Sequence, residues 1–412
     1  MSSHTRPSTP VPQGWALVAI LTVALGAWYT VYGFWYGPFF SDDGYRDVAY
    51  SRALIELGYS PLRYLREAQA MSGHPHTVPL AGYMIYVYVL AVLQSLTGAQ
   101  WMSSLVLANA AMHTLAASAV LSLVNKTLPG RTALVAGAVA MAIAMDGYQW
   151  VAMTQSDSMY VGMGAITLTC AILASSGAPE RRPVRWLGVA VLLVASALTR
   201  PTWPPLAAAI GVAALLSGPF LRANATAMIG TWWRLAAAGA AVVIVGTLVL
   251  VAAYRDLSLV PFDVMLRPMT VWRDYLENGV VVIARPETMF PPLDTYWGFL
   301  RVVLARLVYY FWFVGEGFSR THRIANIAGH VPLYLFAAMG VLSVLRNRIG
   351  PGAVHVGLVL ISYVLALDAY HAVTILDFDW RYRAPAYPAF AYLAAVGVIS
   401  LRGWLVRRFA RS

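Results

Sequence analysis

Residues 14–36 read GWALVAILTVALGAWYTVYGFWY, and residues 37–47 continue GPFFSDDGYRD. An apolar run of that length crosses a hydrocarbon layer of about 30 Å, which takes about 20 helical residues. Polarity then reverses within a few positions, so that two adjacent carboxylates, Asp42 and Asp43, abut the end of the apolar segment. The residues before it, Met1 to Gln13, are polar and include Arg6. The run is too long for the core of a signal peptide and lacks a clear small-residue cleavage site. It reads as a retained first helix that delivers an acidic pair to the non-cytoplasmic face of a membrane.

The rest of the chain extends that reading. Of 412 residues, 59% are hydrophobic and 11% charged, with a mean hydropathy of +0.63. A soluble core cannot hide so much apolar surface. Apolar segments fall at 14–36, 79–97, 102–124, 132–146, 157–175, 186–199, 203–217, 232–253, 298–315, 330–345, 353–369 and 384–402. The class expected is an all-α polytopic membrane protein with about 10–12 hydrophobic helices in a single domain over 1–412. The lone cysteine, Cys170, lies in an apolar run, which removes disulfide frameworks and cysteine metal sites. The net charge of +11 comes from basic residues scattered in short loops, as the positive-inside rule produces, rather than from a basic stripe that would bind nucleic acid.

Charge placement also orders the crossings. If all twelve segments crossed from an inside N-terminus, the run Glu180 to Arg185 would fall outside, against the rule. Segment 79–97, with Pro79, Tyr83, Tyr86 and Tyr88 and a Thr97-Gly98 end, reads as interfacial or half-inserted. So does the more amphipathic 298–315, with Arg301, Arg306 and Trp312. About ten full crossings remain, both termini inside. Lys126, Arg131, Arg222, Arg234, Arg346, Arg348, Arg402, Arg407, Arg408 and Arg411 then fall inside. Outside lie a first external loop at 37–101, the 147–156 turn, Arg200, a large region at 254–329, and 370–383.

The chemistry-bearing residues collect there. Asp42 and Asp43 open a helical pattern that Gly58 can cap. An N-cap by Ser41 or Asp42 explains one acid. A carboxylate held at an apolar rim suits a general base instead. Asp157, in Thr154-Gln155-Ser156-Asp157-Ser158, is either an N-cap of the next apolar helix or a second acid on the same cavity. Together the acids could position an acceptor, or hold a divalent cation if other oxygens complete its shell; the sequence does not require a cofactor. Arg200, Arg320 with His322 and Arg323, and Arg381 and Arg383 are the candidates for phosphate oxygens. Pairing with an acid is the competing role of Arg200 and snorkelling that of Arg381 and Arg383. His74 and His76 flank Pro75 without a third ligand and read as polar loop residues, placed with Tyr45 in an acceptor region.

These residues resemble the GT-C superfamily of membrane glycosyltransferases, which use polyprenyl-phosphate-linked sugars. Ser41-Asp42-Asp43-Gly44-Tyr45 is similar to the Asn-Asp-Gly-Tyr loop of bacterial oligosaccharyltransferases and to the Asp-Glu loop of protein O-mannosyltransferases and aminoarabinose transferases. Segment 79–97 resembles the family's juxtamembrane element, Ser156-Asp157-Ser158 its second acidic motif, and Arg381-Tyr382-Arg383 an Arg-Tyr stretch before a late helix. The soluble C-terminal domain and Trp-Trp-Asp motif of oligosaccharyltransferases are missing. The resemblance implies a GT-C-like bundle in the plasma membrane of a bacterium, its site facing the periplasm. It implies that Asp43 is the catalytic base and that a hexosyl or pentosyl unit moves to a cell-envelope glycan, glycolipid or protein. The alternative is a transporter or flippase of a lipid-linked or anionic substrate.

Overall fold

The computed structural model describes residues 14–72, 80–176, 182–217, 296–315, 318–374 and 380–410. The helices, in chain order, begin with α1 (Trp15–Tyr36), the polar α2 (Asp42–Glu56) and α3 (Pro61–Ser72), then α4 (Met84–Thr97) and α5 (Trp101–Thr127). There follow α6 (Arg131–Ile143), the single turn α7 (Met145–Tyr148), α8 (Asp157–Ser176), α9 (Arg182–Thr199) and α10 (Pro204–Leu216). The C-terminal part holds α11 (Tyr296–Tyr309), α12 (Arg320–Leu345), α13 (Pro351–Thr374) and α14 (Tyr387–Phe409). Among the described residues the extended pairing is confined to one bridge, Phe39 with Met153.

Among the described residues seven helical segments are long and apolar enough to cross a membrane, and α6 and α10 are shorter apolar helices. This is the architecture expected of a multi-pass membrane protein. Eleven of the apolar segments read from the sequence coincide with a helix; 232–253, with Arg222, Arg234 and the polar 254–295, lies outside the described residues. Helix α1 is apolar all round: Val18, Leu25, Tyr29 and Tyr32 are buried, while Ile20, Val23, Val31 and Trp35 are exposed. Lipid as the outer solvent explains both faces.

Helices α1 and α5 run antiparallel. At one end the Gly14 amide donates to Asn125 Oδ1 at 3.0 Å, in the middle Gly26 packs on Thr114, and at the other end Gly33 packs on Val106 and Val151. Trp101 therefore starts α5 at the level where α1 ends. Tyr83, just before α4, is also at that level, because Arg46 lies 5.0 Å from its ring. With both of its ends at one side, and only about 21 Å long at 1.5 Å per residue, α4 returns without crossing. It rests on α2, α5 and α9.

The same logic sorts the charges. The Arg402 guanidinium donates to Thr132 Oγ1 at 2.9 Å, Arg185 to Leu173 O at 3.3 Å, and Arg346, Arg348 and Arg407 line one cavity with Thr127 and Leu128. With Lys126 and Arg131 beside them, these residues make a basic end. Asp43, Asp157, Arg200 and Arg383 occupy the opposite end. Packing is closest between α12 and α14, which cross on Gly340 and Gly397; a methyl at either would overlap the backbone carbonyl of Leu393 or Phe336. Small residues at a crossing let the backbones approach, which drives helix association when lipid removes the hydrophobic incentive.

Candidate active site

The acidic pair is held by the turn that precedes α8. The Phe39 amide donates to Ala152 O at 3.0 Å, and Phe39 O accepts from the Thr154 amide at 3.2 Å and from its hydroxyl at 2.8 Å. Asn109 adds two bonds from its amide nitrogen to Val151 O and Met153 O, both 3.1 Å. Gly44 then lies flat on Thr154, where a Cβ would come within 2.6 Å of the Thr154 carbonyl. The Asp43-bearing turn and the Asp157-bearing turn thus form one unit.

Ser41 is the N-cap of α2, its hydroxyl accepting from the Gly44 amide at 3.0 Å. Asp42 and Asp43 occupy the first helical positions, where carboxylates complement the helix dipole and neither is needed as the cap. Arg46 carries the local order. Its Nη1 is 3.0 Å from Asp43 Oδ1, its Nη2 is 2.9 Å from Asp47 Oδ1, and its Nε donates to that same oxygen at 3.0 Å. The Asp43 side chain is 37% exposed and that of Asp47 only 2%. Burial pushes the Asp47 carboxyl up to about 6, against the pull of Arg46. The acid displaced into the near-neutral range by desolvation is therefore Asp47, buried one turn beyond Asp43. Tyr45, by contrast, is 60% exposed and stacks on Phe40 at 4.8 Å.

Asp157 begins α8 and is buried. Its Oδ2 lies 2.7 Å from Arg200 Nη1, which also donates to Ser156 Oγ at 3.2 Å. Pairing with an acid, one of the two roles considered for Arg200, is thus realised. Arg200 closes α9 where Pro201, Pro204 and Pro205 interrupt the helix. Tyr160 and Tyr370 donate to carbonyls of that break, at 2.6 Å to Thr202 O and 3.3 Å to Pro201 O. Gly82 packs on Pro201, which links the α2–α4 layer to the Arg200 turn. Tyr382 completes the surround, its ring 5.9 Å from the Arg200 guanidinium.

Arg383 plays a different part from the phosphate ligand expected. It is 1% exposed and donates to Tyr310 O at 3.1 Å, to Trp312 O and to Tyr387 Oη at 3.0 Å. A guanidinium so committed fastens the segment after α11 to the start of α14. Arg320, His322 and Arg323 stand on the first turn of α12, capped by Ser319; His322 stacks on Phe318 at 4.0 Å and Arg323 Nε donates to Phe318 O at 3.0 Å. His74 and His76, and the side chains of Asp42 and Arg381, lie outside what is described.

Among the described residues no group of three or more His, Cys, Asp or Glu is placed to hold a metal. Asp43 and Asp157 are each engaged by an arginine, which is not the arrangement of a shared cation site. Sequence reading passed over Arg46 and Asp47, although both stand in the quoted stretch, and Asp368. Asp368 carries a signal of its own as an acid inside an apolar segment, a position that is costly without a role. Compared with known proteins, the chain matches no family model, no curated protein and no solved structure.

Proposed function

We propose that the chain is an inverting glycosyltransferase of the GT-C type, moving a single sugar from a polyprenyl-phosphate donor to a hydroxyl of an envelope glycan, glycolipid or protein. The observation that carries this reading is a half-exposed Asp43, oriented by Arg46, beside a buried Asp157–Arg200 pair at one end of an apolar bundle. In the proposed reaction Asp43 takes the acceptor hydroxyl proton as that oxygen attacks the anomeric carbon, and the bond from that carbon to the phosphate oxygen breaks with inversion. The electron pair leaves with the phosphate. Arg200, held by Asp157 and Ser156, offsets the developing charge, and a preorganised cation in a water-poor site is effective there. Arg320, Arg323 and Arg381 are candidates for the same phosphate as it departs. The bacterial plasma membrane, with this end facing the periplasm, is the setting that the basic opposite end supports.

The test is release of labelled sugar from a polyprenyl-phosphate donor by the purified chain in nanodiscs. Asp43→Asn is expected to lower the rate by at least about a hundredfold, the lower range for a lost general base. Full transfer by both Asp43→Asn and Asp43→Ala would sink the assignment. A transporter, favoured by the broken α9–α10 junction, would move the donor across a vesicle without cleaving it.

A further inference from the structure

Helices α12 and α14 touch at Gly340 and Gly397, and beyond that crossing, toward the basic end, they border a cavity of about 490 Å³. Small-molecule sites fall in the range of about 300–1,000 Å³. The wall changes character along the groove. Met339, Leu342 and Ile399 line the part next to the crossing, and Arg346, Arg348 and Arg407 line the part away from it. Ile399, Gly403 and Arg407 recur every four residues and share one face of α14, over about 12 Å at 1.5 Å per residue. The Arg407 guanidinium folds back along that face, its Nη1 3.6 Å from where a Cβ on Gly403 would stand.

The other two arginines are placed by the ending of α12. Asn347 takes the left-handed conformation, with φ +50°. Its amide donates to Val344 O at 3.0 Å, and the Arg348 amide donates to Ser343 O at 2.9 Å. This is the Schellman ending, and it reverses the chain sharply between Arg346 and Arg348, so that both border the cavity.

Among the described residues none of the three guanidiniums has a hydrogen bond or an ion pair. The stretches 101–143, 320–350 and 387–409, which hold every lining residue, contain no Asp or Glu. The positive-inside rule accounts for basic residues at this end, and Lys126, Arg131 and Arg402 satisfy it from outside the cavity. It gives no reason for three uncompensated cations around one space, where like charges repel and an anion relieves them.

The apolar part of the wall decides the kind of anion. Leu342 and Leu345 are 49% and 41% exposed, so that wall is continuous with surface that faces acyl chains. Trp404 is 45% exposed, with Arg408 5.2 Å from its ring, and an exposed tryptophan of this kind belongs at the depth of the lipid headgroups.

We infer that this cavity binds an anionic phospholipid of the leaflet at the basic end, its phosphodiester held by Arg346, Arg348 and Arg407 and its glycerol end against Met339, Leu342 and Ile399. Guanidinium forks match phosphate oxygens, and basic pockets between membrane helices on the cytoplasmic side suit such headgroups. A free anion would have no use for the apolar part. The site lies at the opposite end of the bundle from Asp43 and Arg200, and it stands whether or not the transferase reading does.

The test offers the full chain in detergent dioctanoyl phosphatidylglycerol, dioctanoyl phosphatidylcholine, inorganic phosphate and a tetraglutamate peptide, with binding read by native mass spectrometry. Phosphatidylglycerol is expected to bind roughly a hundredfold tighter than phosphatidylcholine, at about fivefold for each guanidinium. Arg346→Gln, Arg348→Gln and Arg407→Gln should each cut that ratio about fivefold, and the triple variant should erase it. All three side chains are exposed, so the ligand-free variants should melt close to wild type; the single variants carry the test should the triple fail to fold. Lys126→Gln with Arg131→Gln and Arg185→Gln removes the same charge from the same end without touching the cavity, and should leave the ratio within about twofold of wild type. An equal loss in that control, no preference for phosphatidylglycerol in the wild type, or phosphate or tetraglutamate binding as tightly as the lipid overturns the site.

Discussion

Arg200 Nη1 lies 2.7 Å from Asp157 Oδ2, with both side chains almost wholly buried, so the end of α9 is joined to the start of α8 by an ion pair shielded from water. Such a pair contributes little net stability relative to apolar residues, but losing one partner strands the other charge at a cost of about 3–5 kcal/mol. Arg200→Gln should therefore destabilise strongly in detergent melts. The double change Asp157→Asn with Arg200→Gln should recover most of the loss, since no charge is then stranded. Additive losses in the double-mutant cycle would show that the two residues act separately. Transfer activity is expected to stay low in both, because the cation is gone.

Asp47 predicts a pH dependence of known sign. Its carboxyl rises from 3.8 to about 6, burial being the larger cause and Arg46 the opposing one. Between those values the native state binds more protons than the unfolded chain, so stability falls as pH rises through the window and levels off above about 6. Asp47→Asn removes this contribution and should flatten melting temperature against pH from 4 to 6.5. An identical slope in the variant would assign the titration to another group.

The α12–α14 crossing has no room for a side chain. Gly397→Ala places a methyl on the Phe336 carbonyl and Gly340→Ala one on the Leu393 carbonyl. Either should cost about 1–3 kcal/mol or more, the range for overpacking, read as reduced melting temperature or yield. Gly188→Ala and Gly211→Ala, with nothing near the added methyl, serve as controls and should melt close to wild type.

Sidedness follows from the two ends. In a Cys170→Ala background, Tyr45→Cys should react with a membrane-impermeant thiol reagent applied to intact cells, and Arg348→Cys should react only after lysis. Labelling of Arg348→Cys alone in intact cells would reverse the orientation, and labelling of both would overturn their placement on opposite sides. Tyr45 suits the purpose because it is 60% exposed.

Part of this site was legible without coordinates. The abrupt end of the apolar run at Tyr36, with Ser41 and two acids just beyond, marks a helix end and an N-cap from local chemistry alone. Arg200 beside three prolines announces a broken helix with a charge that needs a partner. The return of α4 was legible too, because basic loops must fall on one side. The identity of the partners was not. Arg46 could have faced lipid, solvent or either neighbouring acid, and its pairing with Asp43 and Asp47 depends on how α2 lies on α4. Arg381 and Arg383 were equivalent on paper, and the burial of Arg383 came from the turn before α14.

What the chain's order of residues determined by itself is where its apolar segments fall and which loops carry the basic charge, because hydrocarbon thickness and loop charge act segment by segment. What only the tertiary structure decided is which carboxylate is buried, which arginine is committed to backbone carbonyls and which polar atoms on α13 stay unpaired. Burial and pairing are properties of several helices at once, and Asp43, Asp157 and Asp368 are far apart along the chain until the bundle gathers them at one end.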